Sequence, residues 1–155
     1  SVMGETVLML KGIRHTGIVV SDMERSLRFY RDLLGMKVWA DFTDNSDYVQ
    51  AVTGEKGADI WMIKLSAEDG GGVELLQYRS HPQEVPPPRR SCDVGINHLA
   101  VQVQNIDTLY ERLLAEGIEF NTPPIYSEDR GAKVTYCRDP EGIIVELVEL
   151  VESQQ

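Results

Sequence analysis

Four side chains that could bind a metal ion stand at corresponding places in the two halves of the sequence. His15 and His98 each open an apolar, strand-like segment, and Glu74 and Glu146 each lie inside a later one. Imidazole nitrogens and carboxylate oxygens suit divalent Ni, Co, Zn, Mn or Fe, and no thiolate in the set favours a softer metal. One such residue alone would be weak evidence, because short motifs often match by chance. Because the set is repeated, we interpret the four residues as ligands of one divalent metal ion.

The residues around these side chains also favour a metal site. In the segment that begins at His98, Leu99 and Val101 form an apolar face, which we expect to pack against a helix. This leaves His98 on the open face. Glu74 and Glu146 each stand between two apolar residues, where an unpaired carboxylate is costly to bury. A bound metal ion would offset that cost.

The elements that must position these residues form two β-α-β-β-β units. In the first unit we expect strands over 13–20, 37–42, 58–65 and 72–78, with a helix from the capping residue Ser21 to Gly35 and a short helix over 47–53. In the second unit we expect strands over 96–104, 118–121, 132–138 and 143–151, with a helix between Asn105 and Gly117. Residues 139–142 predict the last hairpin turn.

The length of 155 residues predicts a single domain over residues 1–155. Within it, we expect a first module over 12–79, a Pro-rich connection over 80–95 and a second module over 96–151. The connection is longer than an ordinary loop and could act as a lid. Its Arg89 and Arg90 could bind a carboxylate or phosphate, or they could be solvated loop residues.

Composition excludes several classes of partner. A net charge of −10 argues against nucleic acid, although local cations could still hold a small anionic substrate. No apolar run approaches the ~20 residues that span a bilayer, so we expect no membrane association. Cys92 and Cys137 are isolated and form no disulfide framework, which favours a cytoplasmic location.

At this level of detail the chain resembles the vicinal oxygen chelate superfamily, which includes glyoxalase I, methylmalonyl-CoA epimerase, extradiol dioxygenases, and fosfomycin and bleomycin resistance proteins. The resemblance covers about residues 12–151 and rests on these motifs: His15 with Val20-Ser21-Asp22, Ser26-Leu27-Arg28-Phe29-Tyr30, Leu34-Gly35-Met36, Val73-Glu74-Leu75, His98-Leu99-Ala100-Val101, and Asp139-Pro140-Glu141-Gly142 before Val145-Glu146-Leu147. It implies an α+β fold of two tandem βαβββ modules, which form a cup-shaped mixed sheet with the helices outside. It also implies metal ligands at His15, Glu74, His98 and Glu146.

Four protein ligands in an octahedral sphere leave two adjacent positions, which a substrate with neighbouring oxygens could fill. The favoured chemistry is proton abstraction alpha to a carbonyl, of the lactoylglutathione lyase or methylmalonyl-CoA epimerase type. The resemblance to glyoxalase I suggests that Glu146 first, and Glu74 second, carries the proton. Glutathione or CoA could then be part of the substrate.

Two other functions remain open at this stage. An extradiol dioxygenase uses two histidines and one carboxylate, so a fourth ligand at Glu74 argues against it. A non-catalytic antibiotic-binding protein has no need of the four ligands. We expect a homodimer, because sheet edges favour pairing. The sequence leaves open whether the site forms within one chain or between two copies.

Overall fold

The computed structural model describes residues 4, 7 and 9–151, so the other residues of the expected 1–155 domain lie outside the described part. The first module contains β1 (Thr16–Val19), α1 (Met23–Leu27), β2 (Lys37–Asp44), α2 (Asp47–Thr53), β3 (Ile60–Ser66) and β4 (Gly72–Tyr78). Helix α1 continues as a π-helical segment over Arg28–Leu33. The second module contains β5 (His98–Gln102), α3 (Ile106–Ala115), β6 (Ile125–Ser127), β7 (Ala132–Arg138) and β8 (Ile144–Leu150). None of the described helices has both the length and the hydrophobicity needed to cross a bilayer.

Each module forms its own four-stranded mixed sheet, and the strand order is the same in both. The order is β1-β4-β3-β2 in the first sheet and β5-β8-β7-β6 in the second. The first strand of each module lies parallel to its last strand, and the other neighbours are antiparallel. Lys64 therefore lies opposite Glu74 in the first sheet, just as Tyr136 lies opposite Glu146 in the second. The predicted α+β class and the tandem βαβββ arrangement are confirmed.

One hydrophobic core joins the two modules. Helix α1 with its π-helical continuation, helix α3 and one face of each sheet all contribute to it, and its fully buried members include Phe29, Leu75, Leu113 and Leu147. Each such side chain contributes about 1.5–3 kcal/mol through burial. Because side chains alternate along a strand, the residues between these apolar positions point away from the core. The long helices thus cover the sheet faces opposite to the predicted ligands.

The start of helix α1 differs by one residue from the sequence prediction. The sequence predicts Ser21 as the cap, but Asp22 takes that role and accepts a hydrogen bond from the Arg25 N–H at 3.1 Å. Ser21 instead donates its N–H and its hydroxyl to Glu141 in the other module, each at 2.8 Å. Ser21, which the local motif predicts as the cap, therefore forms a contact between the modules instead.

The strand predicted over residues 118–121 is wrong. In that stretch Phe120 forms an isolated bridge with Cys137, and the edge strand β6 begins only at Ile125. Pro123 and Pro124 stand between the two positions, and proline has no N–H to donate to a ladder. The apolar residues of 118–121 thus pack on the core, and the segment pairs with β7 at a single bridge instead of forming a strand.

The connection between the modules, residues 79–97, contains no helix or strand. Arg89 donates two hydrogen bonds to backbone carbonyls of the same connection and accepts one at its own carbonyl from Arg138. Arg90 forms an ion pair with Asp93 at 3.0 Å. Both arginines therefore have partners in or beside the connection, and binding of a carboxylate or phosphate by them stays a prediction.

Candidate metal centre

The first pair of predicted ligands, His15 and Glu74, lies on the face of its sheet that points away from the core. His15 directly precedes β1, and Glu74 lies on β4, opposite Gly17 of β1. The Nε2 atom of His15 lies 3.7 Å from Oε2 of Glu74. Only 12% of the Glu74 side chain is exposed. We call this pair the first half-site.

The second pair, His98 and Glu146, occupies the matching place in the second sheet. The Nε2 atom of His98 lies 3.3 Å from Oε2 of Glu146, whose side chain is 19% exposed. On the other side of the ring, Nδ1 of His98 lies 3.1 Å from Oδ1 of Asn97. A hydrogen bond from Nδ1–H to this amide oxygen would fix the tautomer whose Nε2 is free to bind a metal. We call this pair the second half-site.

The two half-sites do not meet within one chain. No group of three or more His, Cys, Asp or Glu residues in the described part of the chain lies close enough to hold a metal ion. The cause lies in the packing of the modules, because the helices and the apolar sheet faces of both share one core. Each half-site lies on the face opposite to that core, so one chain presents two separate pairs.

The donor set of the half-sites nevertheless fits a divalent metal ion. Each supplies one imidazole nitrogen and one carboxylate oxygen, and the two donor atoms of each pair already face one another. Ligands at about 2.0–2.2 Å from a shared ion have donor atoms about 3 Å apart, so only small side-chain movements are needed. The mixed nitrogen and oxygen set is suited to Ni, Co, Zn, Mn or Fe.

The two βαβββ modules and their matching half-sites agree with a family match over most of the chain. The profile of the Glyoxalase/Bleomycin resistance protein/Dioxygenase superfamily matches residues 12–147. The chain belongs to this superfamily. Members of it include enzymes and non-catalytic proteins.

Three relatives within the superfamily illustrate the similarity. A lactoylglutathione lyase from Pseudomonas aeruginosa is 31% identical, over 87% of this chain and 80% of its own length. A glyoxalase family protein from Bacillus cereus superposes with a TM-score of 0.86 at 20% identity, covering 97% of this chain and 99% of that one. The fosfomycin resistance protein FosX from Listeria monocytogenes, solved with Mn(II) and 1S,2S-dihydroxypropylphosphonic acid, has a TM-score of 0.59 at 17% identity, with 90% of each chain covered. The last two likenesses show the fold.

Two residues of this superfamily member face the half-sites and were not singled out from its sequence. Lys64 lies opposite Glu74 with its Nζ atom 3.6 Å from Oε2. The ring of Tyr136 lies 5.2 Å from the ring of His98, measured between centroids. The hairpin turns in the sequence could have identified both. In an antiparallel hairpin, two residues at equal distances before and after the turn lie opposite each other. Lys64 is related in this way to Glu74, and Tyr136 to Glu146.

The third histidine of the chain belongs to neither half-site. His81 lies in the connection, where Nδ1 is 2.7 Å from the Ser80 hydroxyl and Nε2 is 3.6 Å from Glu55. The contacts of His81 are therefore local and involve no residue of either half-site.

Proposed function

We propose that this protein is a metal-dependent enzyme of the glyoxalase I type, which transfers a proton at the carbon next to a carbonyl group. The observation that carries the proposal is the pair of matching half-sites, each with a histidine and a glutamate on the open face of its sheet. The similarity to a lactoylglutathione lyase supports the same reaction class. The substrate would be a small molecule with adjacent oxygens, with glutathione or CoA as a candidate part of it.

We infer that each site is completed by a second copy of the chain. In a symmetric dimer, the first half-site of one copy would face the second half-site of the other, which gives two identical sites. Two exposed apolar residues lie on the faces that carry the half-sites, Phe42 at 40% exposure and Leu150 at 58%. Such side chains support burial of these faces against protein.

The four residues would hold one divalent ion, and Ni, Co, Zn, Mn and Fe all fit the donors. When bound there, the ion withdraws charge from a chelated carbonyl and makes the adjacent C–H more acidic. His15 and His98 would help to hold the ion and so to orient a substrate that chelates it.

We assign the proton transfer first to Glu146 and second to Glu74. The side chain of Glu146 is the more exposed of the two, and Glu74 is also in contact with Lys64. A carboxylate beside the reacting carbon can accept its proton. Return of that proton to the neighbouring carbon would give isomerisation, whereas delivery of a proton from the opposite face by the second carboxylate would give epimerisation.

The extradiol dioxygenase alternative has one observation in its favour. The ammonium of Lys64 lies 3.6 Å from Oε2 of Glu74 and would compete with a metal ion for that carboxylate. If Glu74 did not bind, two histidines and one carboxylate would remain, which is the ligand set of that class.

The test combines metal uptake with exchange of the substrate proton. Protein loaded with each divalent ion is incubated in deuterated water with the methylglyoxal–glutathione adduct or with methylmalonyl-CoA. We expect about one ion per chain and deuterium at the alpha carbon. In Glu146→Gln the exchange rate should fall by about 10²–10⁴-fold. Glu111→Gln, on the exposed face of α3, should exchange normally.

Three results would contradict parts of this proposal. Oxygen consumption with catechols would favour the dioxygenase. Metal uptake without deuterium exchange would reject the proton transfer to these substrates. Failure of every ion to bind would reject the metal site and favour a non-catalytic binding protein.

A further inference from the structure

The side chain of Lys64 holds a positive charge beside the first half-site and is partly shielded from solvent. Only 22% of this side chain is exposed. Its Nζ atom lies 5.3 Å from the centre of the Trp39 ring and 5.9 Å from that of Phe42. The carboxylate of Glu74 lies 3.6 Å away, which is longer than a charge-assisted hydrogen bond.

A comparison of the two modules shows that neither the fold nor the half-sites require a lysine at this position. Tyr136 occupies the equivalent position in the second sheet, opposite Glu146. Its neutral side chain packs beside His98 without adding charge. A lysine opposite the glutamate is therefore found in the first half-site and not in the second, so the fold shared by the modules does not account for it.

The backbone beside Lys64 is also irregular. In the pairing of β2 with β3, Val38 lies opposite Leu65, but Ala40 rather than Trp39 lies opposite Lys64. Trp39 is thus an extra residue at a β-bulge, and a bulge redirects the side chain that it carries. It brings the indole ring next to the ammonium of Lys64, where it forms a wall.

These side chains line a cavity of about 270 Å³, together with His15, Glu74 and Arg14. The chain as a whole carries a net charge of −10, so a cavity with a lysine and an arginine is locally unusual. A divalent ion would balance the charges of the two glutamates in a complete site. Lys64 would then keep one positive charge without an internal counter-ion, and burying an unpaired charge is costly.

We propose that Lys64 binds a carboxylate of the substrate, which is therefore a small acid whose carboxylate lies a few bonds from its two metal-chelating oxygens. This assignment rests on the proposed metal site. Arg14, the other cation of the cavity, is exposed, and solvent screens its charge. A carboxylate therefore carries the single negative charge that Lys64 leaves unbalanced, whereas a phosphate carries more. The size of the cavity fits an acid of a few carbon atoms. Trp39 provides the apolar wall for its carbon chain.

The assignment is tested by binding, without turnover. Protein loaded with Mn(II) is titrated by calorimetry with acetohydroxamate, and with the monohydroxamates of malonic and succinic acid. All three probes chelate through the same two oxygens, and only the last two carry a carboxylate. We expect at least one acid to bind about tenfold more tightly than acetohydroxamate, as one charge-assisted hydrogen bond allows. In Lys64→Met that preference should disappear, while the affinity for acetohydroxamate stays the same.

Two further variants separate recognition from folding. Lys64→Arg keeps the positive charge and should keep part of the preference. Lys56→Met removes an exposed lysine of the same module and should keep all of it. If wild-type protein binds Mn(II) and all three probes equally, or if Lys64→Met retains the preference, the carboxylate assignment is overturned while the metal site stands. If Mn(II) and the other divalent ions do not bind, the metal site itself fails, and this assignment fails with it.

Discussion

The hydroxyl of Tyr30 donates a hydrogen bond of 2.6 Å to Oδ2 of Asp139, and both residues are buried. Tyr30 lies on the π-helical segment of the first module, and Asp139 lies at the turn between β7 and β8 of the second. The other carboxylate oxygen of Asp139 accepts the N–H groups of Glu141 and Ile143, each at 2.9 Å. Burial raises the pKa of Tyr30 well above its ordinary value, and burial also raises the pKa of Asp139. This contact joins the two modules across the core that they share.

Removal of this hydroxyl should destabilise the whole chain. Tyr30→Phe keeps the ring in the core but leaves Oδ2 of Asp139 buried without that donor. We expect the free energy of unfolding to fall by about 1–3 kcal/mol, as measured by urea denaturation. Tyr48→Phe is the matched control, because Tyr48 is 72% exposed, and it should change little. Equal stability of Tyr30→Phe and wild type would show that the contact is not stabilising.

Glu141 should contribute a pH-dependent part of the stability. Burial alone would raise the pKa of this carboxyl, but hydrogen bonds from Ser21 and Arg25 outweigh that effect and lower it below its ordinary value of 4.5. A carboxyl with a lowered pKa in the folded state stabilises the protein above its ordinary pKa. That contribution is lost as the pH falls through the folded-state value. We therefore expect Glu141→Gln to lower stability near neutral pH and to lose part of the acid dependence.

The measurement is a set of urea midpoints from about pH 3 to pH 7, a range that includes the ordinary carboxyl pKa of 4.5 and neutral pH. The curves for wild type and Glu141→Gln should converge at the acid end. Glu128→Gln, at an exposed turn, is the control and should follow wild type throughout. A constant difference between Glu141→Gln and wild type at every pH would contradict the expected linkage.

The sequence identifies the half-sites because each has a local signature. The repeat places a histidine and a glutamate in each module, and the alternation of apolar residues around His98 correctly places that histidine on the open face. Nothing periodic in the sequence indicates how the two modules pack on each other. That depends on long-range contacts such as Tyr30 with Asp139, which are single residues without a pattern.

Local motifs also fail where a tertiary contact competes with them. The start of α1 is predicted at Ser21, yet Ser21 contacts Glu141 across the modules, and Asp22 caps the helix. The same limit applies to Lys64. Its position opposite Glu74 can be derived from the hairpin, but its place beside the rings of Trp39 and Phe42 depends on a bulge that the sequence does not reveal.

The two cysteines should differ sharply in reactivity. Cys92 is exposed, whereas Cys137 is buried. Burial, with a smaller contribution from Asp139, raises the pKa of Cys137 to about 12. Because the thiolate is the reactive form, only Cys92 should react with a thiol reagent in the folded protein at neutral pH. We expect one thiol per chain in native protein and two in urea, and none in native Cys92→Ser. Rapid reaction of both thiols in native protein would contradict the packing around β7.

The composition of the metal site can be tested by mixing two inactive variants. Glu74→Gln removes a ligand from the first half-site, and Glu146→Gln removes one from the second. If each site combines half-sites from two copies, a dimer with one chain of each kind has one site with both defects and one intact site. Random assembly of equal amounts then restores about a quarter of wild-type sites, because half of the dimers are mixed.

The alternative arrangement gives a different result in the same experiment. If both half-sites of a functional site came from one chain, every site in the mixture would lack one ligand, and mixing would restore nothing. The variants are co-expressed with different tags so that mixed dimers can be purified, and metal content is measured together with deuterium exchange. In purified mixed dimers we expect about one ion per two chains and half the wild-type exchange rate. If the two half-sites never combine into one metal site, mixing cannot restore a site. The metal content and the exchange rate of the mixed dimers should then equal those of the single variants.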